Sequence, residues 1–113
     1  MAGTVIISEE ESWLKSGWCH STALLAIRDK VAMPFPELAR FLEKGCFPNW
    51  EFLDLRELEP DAFRALTRAA RPALAALEAQ GPGGFRDPRF FAGFIGAFRE
   101  LCDLLEADPR AKA

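Results

Sequence analysis

The stretch from Asp87 to Asp108, DPRFFAGFIGAFRELCDLLEAD, constrains this chain more than any other. Phe90, Phe91, Phe94, Ile95, Phe98, Leu101, Cys102 and Leu105 recur at spacings of one, three and four. At 100° per residue they fill one broad face, so the spacing predicts an amphipathic helix over 87–108. Asp87 suits its N-cap and Pro88 its first position, where the missing N–H does no harm. Pro109 ends it, and Arg89, Arg99, Glu100, Asp103 and Glu106 fall off the apolar face. This helix is expected at the centre of the fold.

Beside the aromatic face runs a strip of small residues, Ala92, Gly93, Gly96 and Ala97. A glycine inside a helix costs roughly 1 kcal/mol against alanine, so two of them imply a close neighbour. The expectation is that another helix of the same domain crosses there; a docking partner chain is the alternative. The uncharged run from Phe90 to Phe98 is too short to span a bilayer, which needs about 20 residues.

The chain upstream supplies smaller elements. Thr4–Ile7 is a short, largely β-branched run that reads as a strand. Ser8-x-x-Glu11 matches a capping box, which predicts a helical turn or two through Trp13 and Leu14, ending near Gly17. Ser21 is expected to cap a second helix to about Met33, with Leu24, Ile27 and Val31 on its inner face. Pro34 and Pro36 force an extended link, and Pro36 opens a third helix. Its stripe is Leu38, Phe41 and Leu42, and Gly45 reads as its left-handed stop. Pro48-Asn49 is a turn, after which Trp50–Leu55 reads as extended and able to pair with Thr4–Ile7. Pro60 opens a fourth helix to about Gln80, with Leu58 and Phe63 placed to clasp its start. Phe63, Leu66, Ala70, Leu74 and Leu77 face inward, and Pro72 is expected to kink or split it. Gly81-Pro82-Gly83-Gly84 breaks the chain before 87–108. The expected fold is therefore mainly α: a single domain over 1–113, a bundle of four to five helices with at most a two-stranded β element.

Composition narrows the function classes. The 113 residues carry 14 basic and 17 acidic side chains, a formal net charge of −3, where a nucleic-acid binder shows a basic excess or stripe. The beginning, MAGTVIISEEE, has no basic segment leading into a long apolar one, so neither a signal peptide nor a membrane span is expected. Cys19, Cys46 and Cys102 are an odd set at wide spacings, which fits reduced thiols in a cytosolic setting. With His20, the one histidine, they lack the close ligand pairs of a structural zinc site, and no metal or cofactor is expected. A His20–Cys46 nucleophile pair stays open, because such pairs need spatial rather than sequential adjacency. The glycines at 81, 83 and 84 lack the Lys and Ser/Thr of a phosphate loop. No catalytic set emerges, so the expected protein is not an enzyme.

Two charged features remain. Arg64, Arg68 and Arg71 form a basic stripe on the outer side of the fourth helix. Glu51, Asp54, Glu57, Glu59 and Asp61 form an acidic one, offset by Arg56 and interleaved with Trp50, Phe52, Leu53, Leu55 and Leu58. Carboxylates around apolar anchors steer and hold a basic partner. The expected partner-binding residues are Trp50, Glu51, Asp54, Glu57, Glu59 and Asp61; the alternative is an acidic edge on an ordinary loop with its apolar residues turned inward.

With the acidic stretch WEFLDLRELEPD, the size, acidity and lack of catalytic motifs resemble the immunity proteins of bacterial toxin systems, contact-dependent inhibition among them. That resemblance implies a small cytosolic protein whose partner is a basic toxin domain, with no nucleic acid and no membrane bound. The alternative is a non-catalytic adaptor or accessory subunit of an enzyme complex.

Overall fold

The protein, described over residues 2–49 and 51–112 in a computed structural model, is mainly helical. Its order is β1 (Ala2–Ile6), β2 (Ser12–Ser16), α1 (Gly17–Val31), α2 (Pro36–Lys44), β3 (Phe52–Asp54), α3 (Pro60–Gln80) and α4 (Phe91–Ala107). Single tight turns of helix precede α3 and flank α4 at Leu55–Glu57, Pro82–Gly84, Pro88–Phe90 and Pro109–Ala111.

The sheet has three strands in the order β2–β1–β3, one more than the sequence pattern predicts. The first strand does pair with the fifties, a pairing the sequence allowed but left open: β1 and β3 run parallel, with Val5 opposite Leu53 and Ile6 opposite Asp54. The additional strand is β2, antiparallel to β1, where a helical turn through Trp13 and Leu14 was expected. Ser8 does accept from the N–H groups of Glu10 and Glu11. Those bonds close a hairpin, because the N–H groups of Ile7 and Ser8 both return to the Glu11 carbonyl. A serine bonding backbone two and three residues ahead serves a turn as well as a helix start, so the pattern is ambiguous by nature. The residues after it alternate, Trp13 buried and Leu14 exposed, as a strand requires.

The helix at the centre is α1, not 87–108. It packs on β1, β2, α2, α3 and α4. It starts five residues earlier than Ser21: Ser16 is its N-cap and accepts from the Cys19 N–H at 3.3 Å. Ser21 lies a turn inside, buried, with its hydroxyl accepting from the Phe47 N–H. Cys19, His20, Ala23, Leu24, Ile27 and Val31 are buried, and at 100° per residue they share one broad face of the helix. Its outer side keeps Trp18, Leu25 and Ala26 while its buried face includes the polar His20 and Ser21, so its apolar periodicity is muted.

Around it the expected helices fall into place. α2 begins at Pro36 and buries Leu38 and Leu42. Gly45 ends it with φ −90°, not in the left-handed region. Its glycine serves a close approach instead, since a Cβ there would lie 2.8 Å from Leu53 Cδ1. α3 begins at Pro60 and continues through Pro72 without splitting. Pro72 lies on the exposed side beside exposed Arg68, so water can take up the Arg68 carbonyl that the proline leaves without an N–H. Gly81 stops α3 with a positive φ of 72°.

α4 begins at Phe91, later than expected, because Asp87 caps a separate tight turn by accepting from the Arg89 N–H at 3.0 Å. Phe94, Ile95, Phe98, Leu101, Cys102 and Leu105 are buried as the spacing predicts, but Phe90 is 62% exposed. The indole N–H of Trp13, itself fully buried, donates to the Ala97 carbonyl at 2.9 Å and ties sheet to helix. Arg71 reaches from α3 to α4 and bonds both Glu106 (2.8 Å) and Asp103 (2.6 Å).

Candidate interaction surface

The three-stranded sheet buries one face against helices and leaves the other open. Trp13, Val5 and Leu53 form one inward row across the strands, buried throughout. One residue along, Leu14, Thr4 and Phe52 form an outward row. Leu14 is 60% and Phe52 50% exposed, so two large apolar side chains flank a threonine on an uncovered face. The next outward row is Ser12, Ile6 and Asp54. The alternation of two per strand period is what puts apolar side chains on both faces of this sheet.

The parallel register of β1 and β3 carries both chains off the sheet at the same end. The turn Ser8–Glu11, with Glu9, Glu10 and Glu11 all exposed, thus leaves beside Leu55–Glu57. The electrostatics agree: the Arg56 guanidinium is held charged first by Asp54, and also by Glu9 and Glu57. Glu9, distant in sequence from the fifties, therefore shares one acidic end with them.

Within the expected binding stretch the residues divide. Trp50 lies outside the described residues. Glu51 is turned toward the start of α1: its carboxylate fills the space that a Cβ on Gly17 would occupy, and the Ser21 hydroxyl donates to it at 3.4 Å. A carboxylate at a helix N-terminus offsets the unpaired N–H groups there, so Glu51 has an internal task. Asp54 is gripped by Arg56, which donates from its backbone N–H and side chain at 2.8–3.0 Å. That grip holds the Asp54 carboxyl below its usual range. Leu53 and Leu55 are buried in the core, and Phe52 is the large apolar side chain that stays outside among the described residues of the stretch. Glu57, Glu59 and Asp61 are exposed. Asp61 pairs with Arg64 inside the first turn of α3, while Glu57 and Glu59 have no ion pair among the described residues. Leu14 and Glu9 belong to the same surface and were not singled out from the sequence, because only the strand register brings them there.

The basic stripe on α3 does not act as a unit. Arg64 is paired with Asp61 and Arg71 with the acids of α4, leaving exposed Arg68 without a bonded side chain among the described residues.

His20 and Cys46 are both buried, but each bonds to backbone and not to the other. His20 Nε2 lies 2.6 Å from the Gly45 carbonyl, and the Cys46 thiol donates to the Leu42 carbonyl at 3.3 Å. Burial pushes the His20 imidazole below its ordinary 6.5, against the pull of the Gly45 carbonyl and Glu51. Burial also pushes the Cys46 and Cys102 thiols up to about 11, and Cys19 upward. Thiols so poised are protonated at neutral pH and poor nucleophiles. Among the described residues no three His, Cys, Asp or Glu side chains group as metal ligands do, and no helix is long and apolar enough to cross a membrane. No protein-family model, curated protein or solved structure matches the chain, so the surface is read from its own chemistry.

Proposed function

We propose that this is a binding protein that neutralises a basic protein partner, in the manner of an immunity protein that covers a bacterial toxin domain. The observation that carries the reading is the outer sheet face, where Leu14 and Phe52 stand exposed beside an acidic end made by Glu9, Glu10, Glu11 and Glu57. Apolar anchors hold a complex by slowing its dissociation, while clustered charge of one sign speeds encounter with the opposite sign. Glu59 and Asp61, exposed at the start of α3, follow it in the chain. Asp54 and Glu51 frame it while serving the fold.

The experiment is co-expression with the product of the adjacent reading frame, read by co-purification and by relief of toxicity. Failure of both overturns the reading. Where both hold, the site is tested by two variants. Reversal of Glu9 and Glu57 to Lys is expected to slow association about tenfold or more and to flatten its salt dependence. Phe52→Ala is expected to speed dissociation with association unchanged. Glu59 and Asp61 are poor choices for reversal, because they sit at the N-terminus of α3, where a positive charge costs about 0.3–1 kcal/mol of stability. Unchanged kinetics in both variants would move the contact elsewhere on the molecule.

A further inference from the structure

Ala92, Gly93 and Gly96 are exposed, and among the described residues no helix crosses at the two glycines. A Cβ at Gly93 or Gly96 would meet nothing within 4 Å. What lies over Gly93 is a groove of about 670 Å³ between the start of α1, the segment before α4 and the first two turns of α4. Its walls are aromatic. Trp18 meets Phe85 and Phe94 edge to face at 5.6 and 5.4 Å, and Phe85 meets Phe94 at 5.4 Å. Each of the three rings is thus braced by the other two. Phe90, left exposed by the turn that Asp87 caps, closes one side.

The rim is charged, and mostly positive. Lys15, Arg86 and Arg89 line it with Asp87. Lys15 pairs with Glu100 at 3.1 Å and Arg89 with Asp87 at 2.8 Å. Arg86 is exposed and has no ion pair among the described residues, which leaves the rim one positive charge in excess.

We infer that this groove binds an anionic amphiphile, a carboxylate with an apolar tail, the tail lying along Gly93 between the aromatic walls and the carboxylate meeting Arg86. The volume is that of a small-molecule site, for which roughly 300–1,000 Å³ is usual. The apolar walls select the tail and the free guanidinium selects the sign of the head, since arginine offers a carboxylate two parallel N–H donors. The surface proposed for the protein partner uses other residues, so the two readings stand or fall separately.

The test uses the full chain with dodecanoate as probe, kept below its micelle concentration, and dodecanol and dodecyltrimethylammonium as controls with the same tail. Binding is read by calorimetry and by tryptophan fluorescence. Dodecanoate is expected to bind saturably, one per chain, and more tightly than either control. Arg86→Glu is expected to weaken dodecanoate about tenfold, a loss of about 1.4 kcal/mol by the relation of affinity to free energy. Gly93→Phe, a change at an open surface position that fills the groove, is expected to abolish binding while circular dichroism stays that of the parent. Absence of saturable dodecanoate binding overturns the proposal, as does equal binding of the cationic control. Binding unaffected by a folded Gly93→Phe variant overturns it too, by placing the probe elsewhere.

Discussion

At the scale of single residues, glycine shows how little a residue's identity says without its surroundings. Gly3 on β1 faces inward, and a Cβ there would overlap the ring and Cβ of buried His20. Gly93 lies in the first turn of α4 with open space beside it. The same substitution therefore acts in opposite directions. Gly3→Ala is expected to destabilise by about 1–3 kcal/mol, because the ring of a fully buried histidine has nowhere to move. Gly93→Ala is expected to stabilise by up to about 1 kcal/mol through helix propensity alone. Urea denaturation midpoints check both signs. Both glycines are visible in the sequence, but the pattern around Gly93 implied a close neighbour, and a groove lies there instead.

At the scale of elements, the short turn Pro109–Ala111 locks the end of α4 to the sheet. Arg110 donates to the carbonyls of Leu55 (2.9 Å) and Ile7 (2.6 Å), and its guanidinium lies 3.9 Å from the centre of the Phe63 ring. Asp108 orients that guanidinium through its own carboxylate at 3.0 and 3.1 Å. Arg110 accordingly holds the Asp108 carboxyl below its ordinary 3.8. A carboxyl depressed in the folded state contributes stability that is complete above its unfolded value and is lost as pH falls through the folded one. Asp108→Asn is therefore expected to be less stable than the parent near neutral pH. The gap should close as pH drops below 3.8. Denaturant midpoints across that range give the answer, and a gap that does not depend on pH would assign the loss to packing instead. The sequence marks Pro109 only as the end of a helix. That the residue after it clamps two strands and a helix depends on contacts up to 103 positions apart.

At the scale of the molecule, the three cysteines report on a single core. Cys19, Cys46 and Cys102 lie in α1, the turn after α2, and α4, and all are buried. Each thiol is pushed upward by burial. An exposed thiol of ordinary pKa near 8.5 reacts readily at mildly alkaline pH. Here all three are expected to stay unlabelled by Ellman's reagent in the native protein and to react together as denaturant unfolds it. Fast labelling of one cysteine in the native state would show that its region opens by itself.

How much of this was legible beforehand follows from the range of the forces involved. Pro60 as the start of α3, Pro36 as the start of α2, the buried face of α4 and the inner face of α3 are local matters. Proline geometry and a period of 3.6 act within a few residues, so the sequence alone determines them. The two runs 4–7 and 50–55 were readable as extended, but whether they pair was left open by the sequence and decided by the fold. What only the tertiary structure decided is everything that depends on which surfaces meet. It made Ser12–Ser16 a strand, since a free edge on β1 stabilised the extended form of a stretch whose serine pattern fits helix or hairpin equally. It put α1 at the centre, where the inner face of Leu24, Ile27 and Val31 meets the sheet and the other helices. It turned Glu51 inward and brought Glu9 and Leu14 to the acidic, open end of the sheet. Strand register and helix crossing join residues far apart in the chain, and no local pattern of charge or hydrophobicity carries that information.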